Sequence, residues 1–152
     1  MKTLLEAIKA RLVAQVEILG GDKAVHFLPD QFYFPETTTF PCVGLKDGPV
    51  NQHYYLGMAR QKADLEVEFV CCVQLHQYGT VIVGKGAAVG ILDLVDSVRA
   101  ALEWWAPEGY KWVQANGDVD EDASQAVNVV NDAGETQKLV QMKRFSMSWI
   151  KG

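Results

Sequence analysis

Between Lys62 and Tyr78 the chain reads KADLEVEFVCCVQLHQY, and no other stretch constrains the fold as tightly. Ala63, Leu65, Val67, Phe69, Cys71, Val73 and Leu75 fall on one parity. Asp64, Glu66, Glu68, Gln74 and His76 fall on the other. Side chains of a strand alternate faces with period two, so this is a long strand with one apolar and one charged side. Val70 and Cys72 interrupt the charged side, which predicts a zone covered on both faces, by another element or another subunit. At roughly 3.3 Å per residue the strand would run about 50 Å, far beyond the common length of about five or six residues. A strand of that length outruns a small domain and offers its ends to neighbouring chains.

The chain has 152 residues, enough for one domain with a real core, residues 1–152 forming a single unit. An excess of 19 acidic over 14 basic side chains gives a net charge of -5. That balance lacks the cationic footprint of backbone binding to nucleic acid. No apolar run approaches the roughly 20 residues of a membrane span, so neither nucleic acid nor membrane is an expected partner. The N-terminal MKTLLEAIKARLVAQV carries a charge every few residues, which a signal-peptide core does not. Cys42, Cys71 and Cys72 cannot all pair, and Cys71 and Cys72 point to opposite faces; reduced thiols in a cytoplasmic setting are the expectation.

Around the long strand the punctuation is clear. Leu4, Leu5, Ile8, Leu12 and Val16 recur at helical spacing and Gly20-Gly21 ends the pattern, predicting a helix over residues 3 to 19. Pro29, Pro35 and Thr37 to Thr39 mark an extended connector with at most a short strand near Val25. Phe40 to Lys46 reads as a short strand, Asp47-Gly48-Pro49 as a turn, and the following dozen residues as a loop or loose strand. Thr80 to Val83 fits either a second short strand or an apolar approach to a helix. Ile91, Leu94, Val95, Val98, Leu102 and Trp105 form one stripe of a helix from Ala87 to Trp105, closed by Pro107 and Gly109. Tyr110 to Val113 begins a strand. Ala126 to Val130 and Gln137 to Lys143 flank the polar NDAGET as a hairpin, and Phe145, Met147 and Trp149 alternate in a final strand. The change of phase between Val140/Met142 and Phe145/Met147 predicts a bulge near Lys143. The fold class is α+β: a single domain, a mixed and mostly antiparallel sheet with one long central strand, packed against an N-terminal helix and one long helix.

Motifs that suggest chemistry have plainer explanations. TVIVGKGAAVG, residues 80 to 90, precedes a helix like a phosphate-binding turn, but Val89 stands where the third glycine belongs and Gly90 comes one residue late. Glycines that start a helix are the better account, with nucleotide binding the lesser alternative. Asp118, Asp120 and Asp122 space like the first ligands of a calcium loop. Ala123 replaces its glycine and Val129 its bidentate glutamate, so a solvated acidic loop is favoured, one that orders on contact with a partner. His26, His53 and His76 share no metal-ligand spacing, and Cys42 lacks the electropositive setting of a reactive thiolate. Neither a catalytic site, a cofactor nor a metal is expected. Trp104 lies about 100° from the stripe that Trp105 continues, so it either covers a strand end, the favoured reading, or belongs to an exposed contact patch.

The order of these elements resembles the tail-terminator and tail-completion proteins of long-tailed bacteriophages and prophages, the lambda-type terminator among them. The residues that carry the likeness are Phe40-Pro41-Cys42-Val43-Gly44-Leu45, Asp64 to Leu75, the helix Ile91 to Trp105, and Phe145 to Trp149. The resemblance implies a minor tail protein without enzymatic activity. Such proteins assemble in the bacterial host cytoplasm into a homo-oligomeric ring, commonly a hexamer, and end up in the virion tail. The ring caps the last ring of tail-tube protein, ends tube growth, and prepares the surface for head–tail joining through a head-completion or connector protein. Another head–tail connector, head-completion or baseplate component is the nearest alternative. A ring needs two different patches per subunit. The residues expected to supply them are Tyr54, Tyr55 and Met58 of the 47 to 61 loop, Glu66 and Glu68 on the charged side of the long strand, Trp104, and Asp118, Asp120 and Asp122 of the acidic loop.

Overall fold

The computed structural model describes residues 1–29, 34–35, 38–54, 61–75, 81–84, 89–113, 121–130 and 136–151. Helix α1, Lys2–Gln15, is followed by 3-10 turns at Glu17–Leu19 and Asp22–Ala24, so the N-terminal helix stops short of the expected residue 19. Strands β1 (Val25–Phe27), β2 (Cys42–Tyr54) and β3 (Gln61–Gln74) lead to helix α2, Ile91–Leu102. Strands β4 (Tyr110–Trp112), β5 (Gln125–Val130) and β6 (Thr136–Lys151) complete the chain. The result is an α+β domain on a mixed six-stranded sheet ordered β1-β2-β3-β6-β4, with β5 also paired to β6. Among the described residues only the β1–β2 pair is parallel.

The long strand is the centre of that sheet. β3 pairs with β2 from Tyr54↔Gln61 to Cys42↔Cys72 and with β6 from Asp64↔Ile150 to Gln74↔Val140. It is shorter than the sequence pattern suggested, since Leu75 already lies outside the strand, and residues 76 to 78 fall outside the described set. Neither end overhangs alone: Gln61 faces Tyr54, and the Leu75 N–H donates to the Leu139 carbonyl. The surplus length instead belongs to three long strands side by side.

Two boundaries differ from the sequence reading for one reason. Asp47-Gly48-Pro49 does not turn the chain. The register merely shifts between Asp47 and Val50, so β2 passes through as a 13-residue strand with a bulge. A bulge can absorb a proline that lacks a ladder donor. Conversely, no bulge exists at Lys143. The β3–β6 register is unbroken, and residues 137 to 149 belong to one 16-residue strand. The shift in β6 lies instead where Val129 faces Lys138 and Val130 faces Thr136.

What changes along β6 is the covered face. On the inner face, Leu65, Val67 and Phe69 stand opposite Trp149, Met147 and Phe145, all buried. Phe69 stacks on Phe145 with ring centroids 4.8 Å apart. Both helices cover this side, α1 through Leu4, Ile8 and Leu12, and α2 through Ile91, Leu94, Val95, Val98 and Leu102. On the outer face Val70, Cys72, Val140 and Met142 are also buried, together with Leu28 and Phe34. A Cβ on Gly44, which stands opposite Val70, would collide with Leu28 and touch Phe34 at 3.3 Å. The segment after β1 therefore lies across the outer face there. The doubly covered zone is closed by the chain itself.

α2 begins at Ile91, with Gly90 as its N-cap, and not at Ala87. Its first two N–H groups donate to the Val81 and Ile82 carbonyls at 2.7 and 3.1 Å, and Asp93 accepts from the Gly90 N–H at 3.4 Å. Residues 81–83 form a turn, the apolar approach to the helix and not a strand. The helix ends before Trp104, whose φ is 65°.

Candidate functional site

The outer face of the sheet is where the charged residues of the long strand meet those of its neighbours. Glu66 faces Ser148 of β6, and Glu68 lies between Lys46 of β2 and Ser146 of β6. Lys46 Nζ is 3.6 Å from the Glu68 carboxylate. One residue further, Arg144 holds Asp122 at 2.9 Å, and the Asp122 N–H donates to the Arg144 carbonyl at 2.9 Å. These side chains line a shallow groove of about 240 Å3 formed by Glu66, Glu68, Asp122, Arg144, Phe145 and Ser146. Three carboxylates against the Arg144 guanidinium and the flanking Lys46 ammonium leave the groove with a net acidic balance. It suits a cationic side chain better than an anion.

The groove is edged by a clamp that straddles the sheet. Glu121 and Asp122 are consecutive, so in extended backbone their side chains leave on opposite faces. Asp122 goes to the outer groove, whereas Glu121 accepts from Arg99 of α2 at 2.8 Å and from Lys143 of β6 at 2.7 Å. The Lys143 ammonium sits on the inner face opposite Cys71, where burial would be costly without this partner. The clamp fixes the C-terminal side of the acidic loop to both sheet and helix.

Two further surfaces flank the sheet on opposite sides. β1 pairs with β2 only from Val43 to Leu45, and the Leu28 N–H adds a bond to the Leu45 carbonyl. From Lys46 to Tyr54, β2 pairs with β3 on one side and, among the described residues, has no strand on the other. At the far edge, β4, residues 121–122 and β5 all pair along β6. There Trp104 is 75% exposed and its ring leans on Trp112 of β4, with centroids 5.4 Å apart and the planes tilted by 40°. The expectation that Trp104 packs conventionally is therefore replaced by an exposed indole leaning on the half-buried Trp112. Its left-handed backbone turns the indole away from the α2 core stripe. Trp105 stays half-buried, with the Arg11 guanidinium 5.5 Å from its ring centroid.

Of the nine residues singled out from the sequence, Glu66, Glu68 and Asp122 share the outer groove. Trp104 belongs to the far edge, and Tyr54 is the last residue of β2. Tyr55, Met58, Asp118 and Asp120 lie outside the described residues, as do Lys85 to Ala88 of the glycine-rich turn and His76. Of the expected 47 to 61 loop, residues 47–54 and Gln61 are strand, and residues 55–60 lie outside the described residues. Sequence reasoning missed Arg144, Ser146 and Trp112, and it missed the free edge of β2. The alternation of β6 would have pointed to the first two had the change of covered face been recognised.

His26 donates through Nε2 to the Lys23 carbonyl at 2.6 Å. Burial pushes its pKa below the ordinary value; Lys9 adds to this, and the Lys23 hydrogen bond and Asp22 oppose it. Burial raises the Cys71 thiol well above its usual range, with Cys72 and Glu121 adding to the effect. Among the described residues no helix is long and apolar enough to cross a membrane, and no three His, Cys, Asp or Glu side chains gather as a metal site. No protein-family model matches this chain, and no curated protein matches it.

Proposed function

We propose that this chain is a structural virion-assembly protein of the tail-terminator type, forming a ring that caps a phage tail tube and prepares head–tail joining. The observation that carries the reading is the edge of β2 from Lys46 to Tyr54, which among the described residues has no strand on the side away from the 14-residue β3. Exposed N–H and C=O groups along such an edge are a template for another chain. A cyclic ring needs two unlike patches on each subunit. The β2 edge and the Trp104–Trp112 edge lie on opposite sides of one sheet, which suits a heterologous contact. The acidic outer groove between them suits a cationic surface on the tube or connector protein.

The test is to add the purified chain to the cognate tail-tube protein during polymerisation and to image the products by electron microscopy. The expected result is tubes of bounded length carrying a ring of this chain at one end. Unchanged tube growth, with the chain absent from tube ends, would overturn the reading. Native mass spectrometry gives the ring number. A protein monomeric alone but ring-forming on tubes remains consistent with the proposal.

A further inference from the structure

Cys42 opens β2 and Cys72 lies near the end of β3, and the two stand directly opposite each other in the antiparallel ladder. Directly opposed residues of such a ladder have Cα atoms roughly 4.5 to 5.5 Å apart and side chains on the same face. Disulfides usually join Cα atoms about 4.4 to 6.8 Å apart, a range that the spacing of directly opposed residues falls within. Both side chains are fully buried thiols on the outer face, beneath the cover that includes Leu28 and Phe34. Cys71 is excluded by geometry: it points to the inner face, where it stands opposite Val43 and Lys143.

We propose that Cys42 and Cys72 form an oxidative cross-link site, an intrachain disulfide that fastens the base of the β2–β3 arm. The oxidant is a small peroxide, able to enter a site that excludes larger disulfides. One thiolate attacks the peroxide oxygen, giving a sulfenic acid and releasing hydroxide, which takes up the proton the thiol lost. The second thiol then displaces water from the sulfenic sulfur. Two thiols and one hydrogen peroxide yield one disulfide and two waters. The bridge closes the chain from residue 42 to 72, which contains the outer edge of β2 and its whole ladder with β3. Oxidation thus ties down the arm on which ring assembly is argued to depend, although the chemistry itself stands apart from that reading.

The experiment treats the full chain with hydrogen peroxide, counts thiols after denaturation, and maps linked peptides by mass spectrometry without reduction. The expected product is a monomeric chain with one titratable thiol in place of three, a Cys42–Cys72 linked peptide two hydrogens lighter, and a melting temperature raised reversibly. Dithiothreitol returns all three thiols and the original melting temperature. Cys71→Ser retains the bridge. Cys42→Ala and Cys72→Ala lose it, and their remaining outer thiol proceeds to sulfinic acid. Persistence of three thiols in the wild type, or linkage chiefly through Cys71 or between chains, overturns the proposal. The wild-type measurement decides the matter even if a variant fails to fold.

Discussion

Trp149, fully buried on the inner face of β6, donates its indole N–H to the Trp105 carbonyl at 3.0 Å. The last strand thereby satisfies a carbonyl just beyond the end of α2. From the other side Arg11 of α1 donates through Nε to the Ala101 carbonyl at 3.0 Å. One orphan acceptor of the α2 C-terminus and a carbonyl just past it are thus met by two separate elements, which ties sheet and both helices together there.

Trp149→Phe keeps an aromatic ring but removes the donor and some volume. The expected loss is about 2 kcal/mol, combining an unmatched buried carbonyl with a small cavity. Urea unfolding should show a lower midpoint with an unchanged slope. An unaltered midpoint would mean the indole N–H contributes nothing.

Neighbouring residues on β3 should respond in opposite ways. Val67 is fully buried opposite Met147, so Val67→Asp buries an unpaired charge and should abolish folding, read as loss of a cooperative melt. Glu66 is half-buried on the outer face opposite Ser148. Glu66→Lys should leave the monomer stable to within about 1 kcal/mol and alter only assembly. If the isolated Glu66→Lys chain is unfolded, the groove is not an external surface.

The Glu121–Lys143 pair should be coupled far more strongly than a surface pair. Their contact is 2.7 Å with the lysine side chain 13% exposed, whereas Lys2 and Glu6 meet at 3.9 Å and are largely solvated. A double-mutant cycle to Gln and Met should give about 1 to 3 kcal/mol for the first, and about 0 to 0.5 kcal/mol for the second. Equal coupling energies would remove the clamp.

Trp104 carries a left-handed backbone that costs a bulky residue about 1 to 2 kcal/mol. Trp104→Gly relieves that strain and gives up a tilted ring contact with Trp112 of similar size, about 0.5 to 1.5 kcal/mol. Monomer stability should move by less than about 1 kcal/mol, while ring formation on tubes is lost. Thermal melts and electron microscopy of the same preparation separate the two effects.

His26 should make the protein less stable in mild acid. Burial, aided by Lys9, lowers its folded pKa, so the unfolded chain takes up the proton first as pH falls. Stability from this group is therefore complete above about 6.5 and declines as pH drops through that value, levelling off below the folded pKa. Between pH 7.5 and 5.5 the wild type should lose more stability than His26→Gln in urea titrations. Parallel losses would show that His26 is not the titrating group.

Period-two alternation made β3 legible as the spine of an α+β sheet, and period 3.6 located α1 and α2 through Leu4, Ile8 and Leu12 and through Leu94, Val95 and Val98. These patterns are local, because each residue reports only which way its own side chain must face to be buried. The sequence by itself also separated the charged side of β3 from the apolar side, which is why Glu66 and Glu68 were identifiable as surface residues. Local pattern could not reveal what lies opposite each residue. Gly48-Pro49 reads as a turn until the pairing of Asp47 with Val67 and Val50 with Leu65 shows a bulge inside a long strand. Val140 and Met142 read as a slipped phase until the cover that includes Leu28 and Phe34 shows that burial changes faces while the register holds. The clamp of Glu121 on Arg99 and Lys143, the free edge of β2, and the juxtaposition of Cys42 with Cys72 belong to the same class. Each depends on contacts between segments distant in the chain, and only the tertiary structure decides which segments meet.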